Sequence, residues 1–117
     1  MSDIQKINLT IEQGATFRYK FAWVDTKKRA MNLTGYTARM QIRATVEDVA
    51  ILAELTTSNG GLVVSEISGI VSLLMSDTQT SAFNWTKGVY DIELISPNSE
   101  VYRMVSGSVT VSKEVTR

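Results

Sequence analysis

Strict alternation of hydrophobic and polar residues predicts β structure along most of this chain, most clearly over residues 14–25. Four aromatic residues occupy alternate positions there: Phe17, Tyr19, Phe21 and Trp23. Because successive side chains of a strand point to opposite faces, the rings are expected on one face and the cations Arg18 and Lys20 on the other. At helical spacing the same rings would scatter around the axis. Each ring can bury about 150–250 Å², so this face is expected to form the floor of the hydrophobic core.

The N-terminal half contains two other alternating segments. Residues 4–11 place Ile7, Leu9 and Ile11 on one face and end at a turn over residues 12–14. Residues 36–44 alternate apolar and polar side chains, which predicts a second half-buried strand. The basic run at residues 26–29 is interpreted as an exposed hairpin tip, and a phosphate contact there is the less favoured alternative.

The next segment allows two interpretations. Residues 45–48 carry a capping pattern for a short helix over residues 49–52. The competing interpretation is a loop followed by a strand over residues 50–57, whose inward-facing residues would be Ile51, Ala53 and Leu55. We favour the strand, because the Ser-Asn-Gly-Gly sequence at residues 58–61 is a strong hairpin signal and residues 62–67 supply an apolar partner strand.

The C-terminal half predicts three more strands and one helical turn. The strands cover residues 70–75, 89–96 and 101–112. Ser76 and Gln79 have the spacing of a capping box, which predicts a short helical turn near residues 77–83. Pro97 suits the first central position of the turn between the last two strands. Gly107 predicts a bulge or bend within the last strand.

About seven or eight short strands with one helical turn indicate an all-β fold, an antiparallel two-sheet β-sandwich of immunoglobulin-like arrangement. The sandwich is expected to be a single domain over residues 1–117, with extended termini at residues 1–3 and 113–117. Tyr90, near the start of a central strand, resembles the tyrosine that immunoglobulin-like folds bury at a corner between strands.

The polar face of this sandwich is expected to pair opposite charges. If residues 36–44 lie beside residues 89–96, then two arginines would face two acids on the outer surface: Arg39 and Arg43 against Asp91 and Glu93. Such exposed pairs contribute about 0.2–1 kcal/mol each and help to set the register.

Composition narrows the class of protein. The chain has 117 residues, 44% of them hydrophobic, which is enough for one globular core. Lys+Arg 12 balances Asp+Glu 12, which argues against a nucleic-acid binder and favours association, so we expect a homo-oligomer. There is no apolar segment long enough to span a bilayer and no signal-peptide pattern, so neither a membrane partner nor secretion is expected.

Candidate catalytic chemistry is sparse. The chain contains no cysteine and no histidine, which removes the commonest nucleophile–base pairs and transition-metal ligands. Asp91 and Glu93 share one strand face, as paired glycosidase acids do, but they also fit the polar half of an alternating strand, which we favour. Four acids in turns could ligate calcium but lack the spacing of a calcium loop: Asp25, Glu47, Asp48 and Asp77. We therefore expect no catalytic residues, no metal and no cofactor.

Carbohydrate binding is the alternative function. Sandwich modules can stack sugars on exposed aromatic rings, and Trp85 and Tyr102 are the rings that the pattern leaves unassigned. Packing in the core or between subunits is the favoured interpretation of both. Nucleic-acid binding would require aromatic and basic residues on one surface, whereas Arg18 and Lys20 oppose the ring face.

Six segments in order resemble small structural proteins encoded among the virion-morphogenesis genes of tailed bacteriophages and prophages. These are Ile-Glu-Gln-Gly-Ala-Thr-Phe, Phe-Ala-Trp-Val-Asp, Asn-Leu-Thr-Gly-Tyr-Thr-Ala-Arg-Met-Gln-Ile-Arg, Glu-Leu-Thr-Thr-Ser-Asn-Gly-Gly, Gly-Val-Tyr-Asp-Ile-Glu-Leu and Gly-Ser-Val-Thr-Val-Ser-Lys-Glu-Val-Thr-Arg. In plan the chain is also similar to the N-terminal immunoglobulin-like domain of phage baseplate upper proteins, although it lacks their long helical continuation. The likeness covers nearly the whole chain and consists of strand and turn patterns.

The resemblance implies a non-enzymatic virion component, made in the bacterial host cytoplasm. Such a protein would be a tail, neck or baseplate component or a capsid decoration protein, and its partners would be other virion proteins. It would act by docking onto neighbouring virion subunits through strand edges and polar termini. The pattern does not single out the residues of that interface.

Overall fold

The computed structural model, which describes residues 4–116, contains nine strands and one short helix in two sheets that enclose one core. The elements are β1 (Gln5–Lys6), β2 (Leu9–Glu12), β3 (Phe17–Ala22), β4 (Thr37–Arg43), β5 (Ala53–Thr56), β6 (Leu62–Ser65), β7 (Ile70–Met75), α1 (Asp77–Ser81), β8 (Lys87–Ile95) and β9 (Val101–Ser112). The predicted all-β sandwich is confirmed. The strand count exceeds seven or eight because the N-terminal strand is split into β1 and β2.

The strands are divided between one sheet of six strands and one sheet of three. Sheet A has the order β1-β9-β8-β4-β5, with β2 also paired to β9, and sheet B has the order β3-β7-β6. Neighbouring strands are antiparallel except at one edge of sheet A, where β1 and β2 run parallel to β9. There Gln5 lies opposite Val105 and Leu9 lies opposite Val109. The first and last strands of the described chain therefore close one edge of sheet A together.

Gly107 marks the break between β1 and β2. A Cβ at this position would overlap the carbonyl oxygen of Ile7, so only glycine lets the N-terminal segment approach β9 this closely. The Asn8 side chain bridges the break by accepting a hydrogen bond from the Ser108 amide at 3.1 Å. The predicted bulge at Gly107 was wrong, since Gly107 pairs directly with Tyr90 and the register between β8 and β9 shifts instead between Ile92 and Glu93.

Tyr90 ties β8 to the N-terminal segment. Its hydroxyl donates to the Ile7 carbonyl at 2.6 Å, a contact between residues 83 apart in sequence. The predicted burial of Tyr90 is confirmed. Its hydrogen bond differs from that of an immunoglobulin tyrosine corner, in which the hydroxyl bonds the backbone only a few residues upstream. Burial raises the pKa of the Tyr90 phenol, which keeps it protonated as a donor.

Only two of the four aromatic rings that alternate over residues 17–23 are fully buried, although the alternation predicted that all four would be. Phe21 and Trp23 are fully buried, Phe17 is half-buried, and Tyr19 is 38% exposed. The reason is that β3 lies at the edge of sheet B, so one of its sides has no neighbouring strand in the sheet. Tyr19 instead packs against Phe21, with ring centroids 4.7 Å apart. The prediction that all four rings form the core floor was wrong for Tyr19.

Residues 58–61 form a turn, but not the predicted hairpin. The strand interpretation of the preceding segment is confirmed over Ala53–Thr56 only, and Ile51 lies before it, exposed. β5 pairs with β4 in sheet A, whereas β6 pairs with β7 in sheet B, so the turn carries the chain from one sheet to the other. The Asn59 side chain closes the outer side of β5, since it accepts from the Thr56 amide and donates to the Glu54 carbonyl.

Local capping and turn signals were confirmed. Ser76 and Gln79 form the predicted capping box at the start of α1, and Ser99 donates to the Ser96 carbonyl across the turn that contains Pro97. Of the two predicted termini, residues 1–3 and residue 117 lie outside the described residues. In the C-terminal segment the Glu114 amide donates to the Gln13 side chain at 2.9 Å, which ties this segment to the turn between β2 and β3.

Candidate interaction surfaces

The outer face of sheet A carries polar side chains in ordered rows. One row crosses five strands through Glu54, Gln41, Asp91, Ser106 and Lys6. In the adjacent row, Arg39 Nε lies 2.8 Å from Glu93 Oε1, which confirms that part of the predicted charge pairing. The pairing follows from the register, since Arg39 and Glu93 are directly opposite on β4 and β8.

Arg43 does not pair with the acids as predicted. Its guanidinium donates instead to the carbonyl oxygens of Asp48 and Val49 and to the Gln41 side chain. Asp91 faces a different arginine, with 3.6 Å between its Oδ2 and Arg103 Nε. The prediction missed these partners because it considered only β4 and β8, whereas β9 and the loop after β4 also reach this face.

A groove of about 540 Å³ lies on this face, with Arg43, Asp91 and Arg103 among its lining residues. Burial, and secondarily the neighbouring Glu93 carboxylate, raise the pKa of Asp91, while Arg103 acts in the opposite direction. The two acids considered as a catalytic pair therefore do share a face. Each has its own arginine, an arrangement typical of charge pairs on a sheet surface.

Of the acids expected in turns, Glu47 and Asp48 are adjacent in the loop after β4, whereas Asp25 and Asp77 lie in other segments. Asp25 closes the hairpin tip at residues 26–29, because its carboxylate accepts from the backbone amides of Lys27 and Arg29 and from the Arg29 side chain. These hydrogen bonds lower the pKa of Asp25, and the bond from the Arg29 amide has the largest effect. Within residues 4–116, no three acids are grouped closely enough to hold a metal ion.

The two rings considered for sugar stacking do not form one platform. Trp85 packs on Phe83 with ring centroids 4.9 Å apart, just before β8 begins. Tyr102 packs on Trp23 and Tyr36, and it lies opposite Leu94 near the other end of β8. At about 3.4 Å per strand residue, roughly 24 Å separates the start of β8 at Lys87 from Leu94. The packing interpretation of both rings is the one that the geometry favours.

The loop between β4 and β5, residues 44–52, presents hydrophobic side chains to solvent. Val46 is 78% exposed, Val49 is 90% exposed and Ile51 is 43% exposed. The loop is nevertheless held in place, since Arg43 donates to two of its carbonyl oxygens and the Leu52 amide returns to the Ile42 carbonyl at 2.7 Å. An apolar surface that is fixed by polar contacts is typical of a binding site.

The outer face of sheet B is a second apolar surface. Val63 is 56% exposed on β6 and Leu74 is 41% exposed on β7. Arg18 lies directly opposite Leu74 in the register, and Lys20 lies in the next row. Among the described residues, neither cation has a carboxylate within ion-pair distance. A depression of about 390 Å³ lies between Arg18, Leu74 and the 59–61 turn.

Sequence reasoning missed both apolar surfaces. It assigned Ile51 to the inside of a strand, because it weighed a helix over residues 49–52 against a loop followed by a strand over residues 50–57. The available signal was that Val46, Val49 and Ile51 follow neither period consistently, which is typical of a loop. Arg18 and Lys20 were placed correctly on the face opposite the buried rings, but Leu74 was not considered with them.

In the described part of the chain, no helix has the length and hydrophobicity needed to cross a membrane. No protein-family model matches the chain, and comparison with curated proteins gives no match either.

Proposed function

We propose that this protein is a non-enzymatic structural component of a tailed-phage virion, a tail, neck or baseplate component or a capsid decoration protein, which acts by docking onto neighbouring virion subunits. The observation that carries the proposal is the 44–52 loop, which exposes three hydrophobic side chains while the Arg43 guanidinium holds its backbone at Asp48 and Val49. The phage assignment itself rests on the resemblance of the strand and turn segments.

A fixed apolar loop suits a docking role for a physical reason. Burying exposed valine and isoleucine side chains is favourable by about 25 cal/mol per Å² of apolar surface. Because the Arg43 contacts already order the loop, little conformational entropy is lost when it is buried against a neighbour. A repeated particle multiplies such modest contacts, since each copy is held by several neighbours.

The balanced charge supports the same role. Lys+Arg 12 against Asp+Glu 12 gives no long-range repulsion between copies at neutral pH. Subunits of this kind can pack side by side in a symmetric assembly without a counter-charged partner.

The test is cosedimentation of the purified protein with phage particles or capsids that lack it, together with light scattering of the protein alone. The test variant replaces all three loop residues, V46S/V49S/I51S. The control is Ile67→Ser, which removes a strongly exposed hydrophobic side chain, 82% exposed, from another turn. We expect wild type and the control to bind particles and the triple variant to lose binding at least 10-fold. If the protein is strictly monomeric and does not cosediment with particles, the proposal is wrong. Binding on a glycan array would instead favour the carbohydrate-binding alternative.

A further inference from the structure

We propose that the 44–52 loop of one copy docks on the outer face of sheet B of a second copy. This inference rests on the proposed docking function and deepens it, since it names the two surfaces and the partner. The contact joins two different surfaces, so it is heterologous and leaves one loop and one sheet face available for further copies.

The loop is acidic as well as apolar. Glu47 and Asp48 lie between the exposed Val46 and Val49, and residues 44–52 contain no basic residue. In the described part of the chain, neither acid takes part in an ion pair. Any surface that buries the valines would also have to receive two negative charges.

The outer face of sheet B has the complementary chemistry. Arg18 lies beside the exposed Leu74, and Lys20 lies in the row that continues through Ser72 to the exposed Val63. The outward positions of its three strands hold no carboxylate: Arg18, Lys20, Ala22, Val63, Ser65, Ile70, Ser72 and Leu74. The depression of about 390 Å³ beside Leu74 and Arg18 offers a place for an apolar side chain next to a cation. The loop and the outer face of sheet B are therefore complementary, because both expose hydrophobic side chains and the acids of the loop can face the cations of the sheet.

The other surfaces of the chain fit the loop less well. On sheet A, the arginines Arg39 and Arg103 already face Glu93 and Asp91. The outer side of β5 is occupied by the Asn59 side chain, which satisfies two backbone groups that an added strand would need. Since the loop joins two strands of sheet A and the proposed acceptor is the outward face of sheet B, a copy cannot place its own loop on its own acceptor.

The absence of cysteine makes a direct test simple, because any introduced thiol is the only one in its chain. Copies carrying V49C are mixed with copies carrying L74C, oxidised, and the mixed disulfide is measured by mass spectrometry. The matched control mixes I67C with L74C, since Ile67 is 82% exposed in another turn. We expect at least 10-fold more mixed disulfide from V49C with L74C than from the control.

A charge exchange tests whether the pairing is specific. Adding D48K to the V49C copies, or R18E to the L74C copies, should each reduce the mixed disulfide several-fold. Mixing the two doubly substituted proteins should restore it, because the new lysine then meets the new glutamate. Both positions are exposed, so unchanged thermal unfolding of each variant verifies that the fold is intact.

The results separate this inference from the proposed function. A mixed disulfide no more abundant than the control, or no restoration on charge exchange, overturns the loop-to-sheet contact. If particles still bind the protein in that case, the docking function stands without it. If the disulfide and its restoration are observed but the protein does not bind particles, the self-contact stands and the proposed virion function is wrong.

Discussion

The outer faces of the two sheets meet water in different ways. On sheet A, Arg39 and Glu93 are opposite each other at 2.8 Å, and Asp91 faces Arg103. On sheet B, the cations Arg18 and Lys20 are next to exposed hydrophobic residues and, among residues 4–116, have no ion-pair partner. The first face satisfies its charges within one copy, whereas the second leaves both charge and apolar surface for a partner.

The difference has a simple origin in the strand sequences. β4 and β8 place Arg39 directly opposite Glu93, so pairing these strands also pairs those two charges, and β9 brings Arg103 close to Asp91. β3 carries two cations and an alanine on its outer positions, and its neighbour β7 offers a leucine, a serine and an isoleucine opposite them. The strands of sheet A therefore supply charge partners for Arg39 and Asp91, whereas the strands of sheet B supply none for Arg18 and Lys20.

Two adjacent leucines on β7 give the largest expected contrast between the inner and outer sides of sheet B. Leu73 is fully buried and Leu74 is 41% exposed. Leu73→Ala should lower the free energy of unfolding by about 2–5 kcal/mol, because it leaves a cavity. Leu74→Ala should change it by less than about 1 kcal/mol, while it weakens self-association. Urea unfolding and light scattering measure the two effects, and equal destabilisation would show that Leu74 is a core residue.

A substitution at Gly107 should disrupt the pairing of β1 and β2 with β9 at the edge of sheet A. Gly107→Ala should destabilise the fold by about 1–3 kcal/mol, because the added methyl group overlaps the Ile7 carbonyl and pushes the N-terminal segment from β9. Relative to wild type, amide hydrogen exchange in the variant should then accelerate more in β1 and β2 than in β3. Ser108→Ala, an exposed change on the same strand, is the control. Wild-type stability in Gly107→Ala would mean that this approach is not required.

The charge pairing of sheet A should have a modest effect. Arg39→Ala removes the partner of Glu93 and should cost about 0.2–1 kcal/mol at low salt, since half of the Arg39 side chain, 50%, is exposed. The difference from wild type should shrink as salt is added. Arg18→Ala on sheet B is the matched control and should leave monomer stability unchanged. The contrast between the faces is wrong if both arginines matter equally.

The smallest expected effect is a pH dependence from Asp91. Its pKa is raised in the folded protein above the ordinary value of 3.8, so the folded state holds the proton more tightly than the unfolded state. Its contribution to stability is therefore greatest below pH 3.8 and is lost as the pH rises through the folded pKa. Relative to Asp91→Asn, wild type should lose stability over that rise. Denaturant unfolding at several pH values measures this, and the opposite slope would mean that Arg103 dominates.

Local sequence signals predicted most of the strands because alternation and turn chemistry are local. The capping box at Ser76, the Pro97 turn and β9 (Val101–Ser112) each depend on residues close in sequence. Tyr19 could not be placed by the same reasoning, since its exposure depends on β3 being an edge strand. An alternating pattern gives the side of a strand, but not what covers that side.

The candidate surfaces were less predictable for the same reason. The Asn-Gly signal at residues 59–60 identified a turn correctly, yet the partners of β5 and β6 depend on pairing with β4 and β7. Arg43 was expected to face acids, but the loop after β4 folds back and offers its carbonyl oxygens first. Both outcomes depend on residues brought together by the whole fold.

The parallel pairing of β1 and β2 with β9 also affects how the chain folds. The Asn8 side chain and the Ser108 amide that it holds are 100 residues apart in sequence. Closing such a long loop carries a large entropic cost, and contacts of high sequence separation are associated with slow folding. During synthesis, β8 and β4 can pair before β9 is available, so the edge that receives β1 and β2 is the last part of sheet A to form. Completion of the sandwich is thus coupled to the arrival of its final strand.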